Sequence, residues 1–376
     1  MPIRAAPSRT RKSRPIAGRP THPVSTLLPG NWGPALRARA CLTKRRNLLS
    51  HSNTKDDRQR VGIAGIGPAG IQHARAVIAS GHEVVAAAGK DANSPRIEEI
   101  RGVAPEARIV TGVEALLDDD SLDALVVALP WYATPDLLPR LLAHEKPMLI
   151  EKPIGLDAAS IEAALKSPDA KIDGKLIGFN RRYYGTAERL RARLGEGGLK
   201  AVYVTVSEDL TRQQKAHGSE IIPHLLTFSS AHTLDLVLHL LGRLLIVKLY
   251  RKREKEVPFT SINGLLETED GAPVHLALNA SDPSPAGMRF LFDDHTNWSL
   301  SPLEMLSIFD RYEIMEISPR SKIRRYMPHV AELVDEPVEF KPGFLAQMEA
   351  FLSGDFGPGA SVGQALATQQ FIEEIQ

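Results

Sequence analysis

The chain predicts an α/β fold in two parts: a doubly wound parallel sheet, then an α+β domain on a large, mostly antiparallel open sheet. Three observations carry this. A glycine-rich turn, "GIGPAG" at 65–70, stands between an apolar run and a helical repeat. Short apolar runs then alternate with helical segments as far as residue 180, the pattern of a parallel sheet with covered faces. From about residue 196 the apolar period drops to two, as in half-buried strands. At 376 residues, 43% of them hydrophobic, the chain is long enough for two cores.

Val61 to Ala64 makes a first buried strand, and "IQHARAVIAS" has a helical period closed by Gly81. "HEVVAAAG" is a second strand. Gly65, Gly67 and Gly70 between them form G-x-G-x-x-G, with Ile66, Pro68 and Ala69 in the turn. Gly65 permits the tight turn, Gly67 lets backbone approach a pyrophosphate, and Gly70 lets helix and strand pack closely. The helix N-terminus adds N–H donors and partial positive charge. Alone the pattern is weak; between strand, helix and strand it is the Rossmann dinucleotide fingerprint. An acid after the second strand would bind a ribose 2′-hydroxyl, but the chain has Gly89-Lys90-Asp91. Gly89 removes the repulsion of a 2′-phosphate and Lys90 offers it a partner, which favours NADP over NAD. The competing reading leaves Lys90 in solvent and gives the acid's part to Asp91.

The alternation continues through strands "ARIVTG", "LDALVVALP", "KPMLIEKP" and "GKLIGFN", separated by helices "GVEALLDD", "TPDLLPRLLAHE" and "DAASIEAALKS". Ligands of such sheets sit at the carboxyl ends of the strands. Leu129 and Pro130, Glu151 and Lys152, and "FNRRYY" at 179–184 all fall there. Lys152 is thus expected at the nicotinamide end of a cofactor, held between a carboxylate and Pro153, whose ring stops the strand. The division expected is a basic extension over 1–58, a Rossmann domain over 59–180, and a substrate-binding and oligomerisation domain over 181–376.

In the second part, "LKAVYVTVSED" alternates as a strand should, and "EIIPHLLTFSSAHTLDLVLHLLG" is helical. Strand-like runs follow at "LIVKLYRKRE", "PFTSINGLLETED", "PVHLALNAS" and "MRFLFDDHTNWSLS". "GFLAQMEAFLSG" and "ASVGQALATQQFIEEI" are helical again. His232, Asp235 and His239 share a helix face, but no second ligand cluster or H-E-x-x-H accompanies them, so no metal is expected.

Residues 1–60 carry roughly a dozen excess positive charges against a net charge of +1 for the chain. The body is therefore acidic, which argues against nucleic acid as partner. The extension is rich in Arg, Pro and Ser without apolar period, as disordered segments are; a transit peptide is the other reading. One cysteine, Cys41, fits a reducing, cytoplasmic setting. The longest apolar stretch carries Asp235, His239 and Arg243, so no membrane span is expected.

Four pieces in this order, "GIGPAG", "EKP", "GFNRRYY" and "HTLDL", resemble the Gfo/Idh/MocA family of NAD(P)-dependent sugar and cyclitol oxidoreductases. The resemblance runs from about Val61 to the C-terminus. It implies that Lys152 contacts substrate and nicotinamide, that His232 is the proton acceptor, and that Asn180 and Arg181 reach the substrate. Ser229 and Asp235, flanking the histidine, are the remaining candidate substrate residues. Many members carry an aspartate four residues before the histidine; here that position is Phe228. The expected activity is hydride transfer between nicotinamide and a hydroxyl or keto group of a sugar, cyclitol or derivative. An NAD-dependent glycoside hydrolase and a non-catalytic dinucleotide sensor are the rival readings. An open sheet with one uncovered face implies a homodimer or homotetramer.

Overall fold

The computed structural model describes residues 58–91, 94–254 and 257–376. Apart from Arg58, the basic extension expected at the N-terminus lies outside the described residues. The first sheet is built by β1 (Arg60–Ala64), α1 (Pro68–Ala79), β2 (Glu83–Gly89), α2 (Arg96–Val103), β3 (Arg108–Thr111), α3 (Glu114–Leu117) and β4 (Ala124–Val127). It continues through α4 (Thr134–Ala143), β5 (Met148–Ile150), α5 (Ala158–Leu165) and β6 (Lys175–Ile177). The strand order is β3-β2-β1-β4-β5-β6, all parallel. Order reverses between β1 and β4, and a crevice opens there at the strands' carboxyl ends. β4 and β5 are buried at every position, as strands with helices on both faces must be. Asp157 caps α5 by accepting the Ser160 N–H at 2.7 Å.

A 3₁₀ turn over Asn180–Tyr183 and α6 (Gly185–Gly195) lead out of this sheet. The second sheet follows, with β7 (Leu199–Ser207), α7 (Leu210–His217), a π-helical turn (Leu226–Ser230) and α8 (Ala231–Leu241). Then come β8 (Leu244–Glu254), β9 (Val257–Thr268), β10 (Pro273–Asn279), β11 (Gly287–Phe292), β12 (Asn297–Leu300), β13 (Met305–Met315) and β14 (Arg325–Asp335). Its order is β14-β13-β12-β11-β7-β10-β9-β8; β7 and β10 pair in parallel and all other neighbours antiparallel. The helix α7 and the β13–β14 hairpin are not among the sequence expectations. Charged residues interrupt the hairpin's pattern at Asp310, Arg311 and Glu313, and its outer half is exposed.

Two helices close the chain, α9 (Phe344–Ser353) and α10 (Val362–Ile375). Met348, Phe351 and Leu352 of α9 share one apolar core with Ile71, Val77 and Leu176 of the first domain. The chain thus returns to the first domain after the second sheet. Ser361 and Gln364 form a reciprocal capping box at the start of α10. Among the described residues no helix is long and apolar enough to cross a membrane.

One ion pair joins the turn after β6 to α8. Arg182 donates from Nε and Nη2 to the two oxygens of Asp235 at 2.8 and 2.6 Å, and both side chains are fully buried. Thr368 of α10 adds a hydroxyl at 3.1 Å. Removing one partner strands a buried charge, so Asp235→Ala is expected to destabilise the protein by about 3–5 kcal/mol in denaturant unfolding. An unfolding midpoint equal to wild type would show that the pair holds nothing.

Candidate active site

The glycine turn has the geometry its sequence predicts. Gly65 has φ +100°, and a Cβ there would overlap the Ala128 carbonyl at the end of β4. A Cβ on Gly70 would overlap the carbonyl oxygen of Gly65. Both glycines are demanded by the protein's own packing. Gly67 is not: a Cβ there meets nothing within 4 Å. Space stands open above the turn, and Gly67 precedes α1 without a side-chain cap, leaving first-turn N–H groups for an outside acceptor. These residues fit a dinucleotide diphosphate. Pro68 is at the helix's start and the Ile66 side chain belongs to the core. Gly89 ends β2 over Ile66, and Lys90 beside it is exposed.

A cleft of about 510 Å³ runs from this turn toward the second domain. Ala69, Leu129, Pro130, Glu151 and Lys152 line its Rossmann side; Phe228, His232 and Lys341 face them. The two residues expected to do chemistry, 80 positions apart in the chain, thus share one cavity. Glu151 is fixed from below: its backbone N–H donates to Val127, and its carboxylate accepts from Nε2 of the buried His73 at 2.7 Å. The His73 ring stacks on Phe344 of α9 at 4.5 Å. Burial works against Glu151's charge, yet the His73 hydrogen bond and the cations Lys152 and Lys341 leave its carboxyl below the ordinary value.

The peptide Lys152–Pro153 is cis. The Lys152 ammonium donates to the Phe228 carbonyl at 2.5 Å and lies 5.1 Å from the centre of the Phe228 ring. Phe228 therefore receives the lysine through its backbone carbonyl, from a π turn of the kind common at functional sites. Burial, opposed by Glu151 and helped by Lys341 and Arg181, brings the Lys152 pKa down to about 8. His232 is held well below the imidazole range by burial first, then by Lys152, Arg181 and Lys341. It is a neutral base at neutral pH, and its Nδ1 is buried without a hydrogen-bond partner among the described residues.

Other expected substrate residues are occupied elsewhere. Asp235 is sealed against Arg182 and does not reach the cleft. Asn180 is buried and donates to the Pro342 carbonyl at 2.8 Å. The Ser229 hydroxyl donates to Glu208 at 2.6 Å. Tyr183 and Tyr184 donate to Phe356 and Glu304. Arg181 stays beside the site, donating to Thr233 at 2.5 Å. Two further charged residues stand at or near the cleft, outside the sequence expectations. Lys341 enters from the loop after β14 with no motif to mark it. Glu208, at the end of β7, is buried, accepts from Ser229 and Ser230, and is raised by burial; its only signal was a carboxylate ending an apolar alternation. Among the described residues no cluster of three or more His, Cys, Asp or Glu could hold a metal ion.

Residues 59–171 match the family model described as "Oxidoreductase family, NAD-binding Rossmann fold". That model is the Gfo/Idh/MocA one, and the match covers the Rossmann part of the chain. It is 32% identical to an inositol 2-dehydrogenase of Rhizobium meliloti over 144 residues, 38% of this chain and 42% of that protein. It is 28% identical to a scyllo-inositol 2-dehydrogenase (NAD(+)) of Bacillus subtilis over 200 residues, 49% and 54% of the two. The chain thus spans about half the length of these curated relatives. The fold is similar to that of a UDP-N-acetylglucosamine 3-dehydrogenase from Acidithiobacillus ferrooxidans, with a TM-score of 0.62 at 19% identity, over 85% of this chain and 96% of that one.

The two kinds of glycine separate by mutation. Gly67→Ala is expected to keep the wild-type unfolding midpoint and lose dinucleotide affinity at least about tenfold, because its methyl fills only the phosphate's space. Gly70→Ala should lower the midpoint itself, since its methyl meets backbone. Calorimetric titration with NAD⁺ and NADP⁺ beside thermal unfolding reads both; equal behaviour of the two variants would contradict the assignment.

Proposed function

We propose that the protein is an NAD(P)-dependent oxidoreductase acting on a CH–OH group of a sugar, cyclitol or sugar derivative. The observation that carries this is the single cleft shared by the open glycine turn, the Lys152 ammonium and the neutral His232 imidazole. The cognate names of the relatives, inositol dehydrogenases among them, support the same reaction class.

The α1 N-terminus and the turn at Gly67 would hold the diphosphate, with Leu129 and Pro130 along the cofactor's path. When bound, NAD(P) supplies the hydride acceptor. Lys152 donates to the substrate oxygen and stabilises its alkoxide character as the C–H bond breaks. His232 takes the hydroxyl proton on an imidazole nitrogen, so alcohol becomes carbonyl with one hydride and one proton removed. The His73–Glu151 bond fixes the backbone from which Lys152 extends, and Trp131, Tyr132 and Phe228 form an aromatic wall. Gly89 and exposed Lys90 favour NADP over NAD, as a 2′-phosphate meets no acid at Gly89 and a cation next to it. The reading includes self-association as a homodimer or homotetramer, supported by Tyr312, Ile314, Tyr326 and Leu333, apolar side chains exposed on β13 and β14.

Lys152→Ala and His232→Ala are each expected to lower kcat by about 10²–10⁴ while dinucleotide affinity is retained, with product followed at the reduced-nicotinamide band. Full turnover by both variants would remove the assignment. The pH profile of kcat/KM should fall as pH rises through about 8, where Lys152 loses its charge. On the acid side it should hold until well below the usual imidazole pKa, because His232 protonates late. A profile rising through pH 6 to 7, or flat above 9, would contradict these roles.

A further inference from the structure

We infer that the substrate is an acid: a hydroxylated ring or chain bearing a carboxylate, which Lys341 receives at the wall of the cleft. The inference deepens the dehydrogenase reading and rests on it.

A neutral polyol is best gripped by a carboxylate that accepts its hydroxyls, and the one carboxylate lining this cleft, Glu151, is held by His73. Phe228 presents a ring, 6.2 Å from that of Trp131 and 4.7 Å from that of His217. The two carboxylates nearby each hold a partner inside the protein. Glu151 accepts from His73 at 2.7 Å, and Glu208 from Ser229 and Ser230 at 2.6 and 2.7 Å.

Positive charge, by contrast, is in excess. Lys152 and Lys341 both line the cleft, and Arg181 is near enough to act on His232 with them. Lys152 has the Phe228 carbonyl and the catalytic role. Among the described residues the Lys341 ammonium makes no hydrogen bond or close ion pair; the residue is exposed, and the ammonium lies 4.3 Å from the centre of the Phe344 ring. A substrate that fills the cleft strips water from this ammonium. A neutral ligand leaves it only the through-space attraction of Glu151, whereas a carboxylate pairs with it through a charge-assisted hydrogen bond. The cavity must also admit the nicotinamide end of the cofactor, which leaves room for an acid of monosaccharide size. The other anion within reach is the cofactor's own diphosphate, and the test separates the two.

Initial rates would be measured with D-galacturonate and D-gluconate beside D-galactose, D-glucose and myo-inositol, at saturating NAD⁺ and NADP⁺. Wild type, Lys341→Met and Lys341→Arg would be compared, with cofactor Kd from separate titrations. The expected result is a kcat/KM for an acid at least about tenfold above its neutral counterpart, the scale of one charge-assisted bond. In Lys341→Met that preference collapses through KM for the acid with its kcat kept, and Lys341→Arg restores it. Neutral sugars turned over as well as the acids would overturn the inference and leave the dehydrogenase reading standing. A Lys341→Met variant that loses cofactor affinity instead would assign the lysine to the diphosphate and overturn it too. Should neither class of substrate reduce either cofactor, the dehydrogenase reading falls and this inference with it.

Discussion

The cleft depends on an ion pair that does not touch it. Arg182 and Asp235 are wholly buried, and each sits beside a residue of the site: Arg182 follows Arg181, and Asp235 lies one helical turn beyond His232. A guanidinium bonded to both carboxylate oxygens fixes direction as well as distance. It therefore sets the rotation of α8 about its axis and the angle at which His232 meets the end of the first sheet. Gln364 and Thr368 bring α10 into the same network, so three distant segments share one locked junction. Such a pair is weak as a source of net stability and strong as a constraint, because breaking it leaves an uncompensated charge in the interior.

The Rossmann side of the cleft is locked by a different device. His73 on α1 reaches Glu151 at the end of β5, and Phe344 of α9 stacks on its ring. The helix that begins at the glycine turn and the strand end that carries Lys152 are thereby held by one hydrogen bond. Phosphate end and reacting end of the cleft cannot shift independently. Lys152 then spans to the second domain through the Phe228 carbonyl, so its ammonium is placed from both sides. Burial and the neighbouring cations hold His232 well below the imidazole range and bring Lys152 down to about 8, the states that the proposed base and donor would need.

Local chemistry was legible in the sequence; direction was not. The order of sheet-forming segments, the duties of Gly65 and Gly70, and the strand-end position of Lys152 follow from backbone rules that act over a few residues. Helical spacing rightly puts Asp235 on the face of His232, but spacing cannot say that Arg182 already occupies that carboxylate. The partners of Asn180 and Ser229 are hidden in the same way: each side chain meets a group elsewhere in the chain, the Pro342 carbonyl or the buried Glu208. Lys341 carries no motif and becomes part of the site only because α9 folds back onto the first domain. The β13–β14 hairpin escaped because charges interrupt its apolar alternation on a face left uncovered.

A crystal structure of the protein with NAD⁺ or NADP⁺ bound tests the central claim most directly. The account places the diphosphate over Gly67 at the start of α1 and the reactive edge of the nicotinamide in the cleft, between the Lys152 ammonium and the His232 ring. A dinucleotide bound with its nicotinamide outside that cleft, or with either residue turned away from it, would contradict the account.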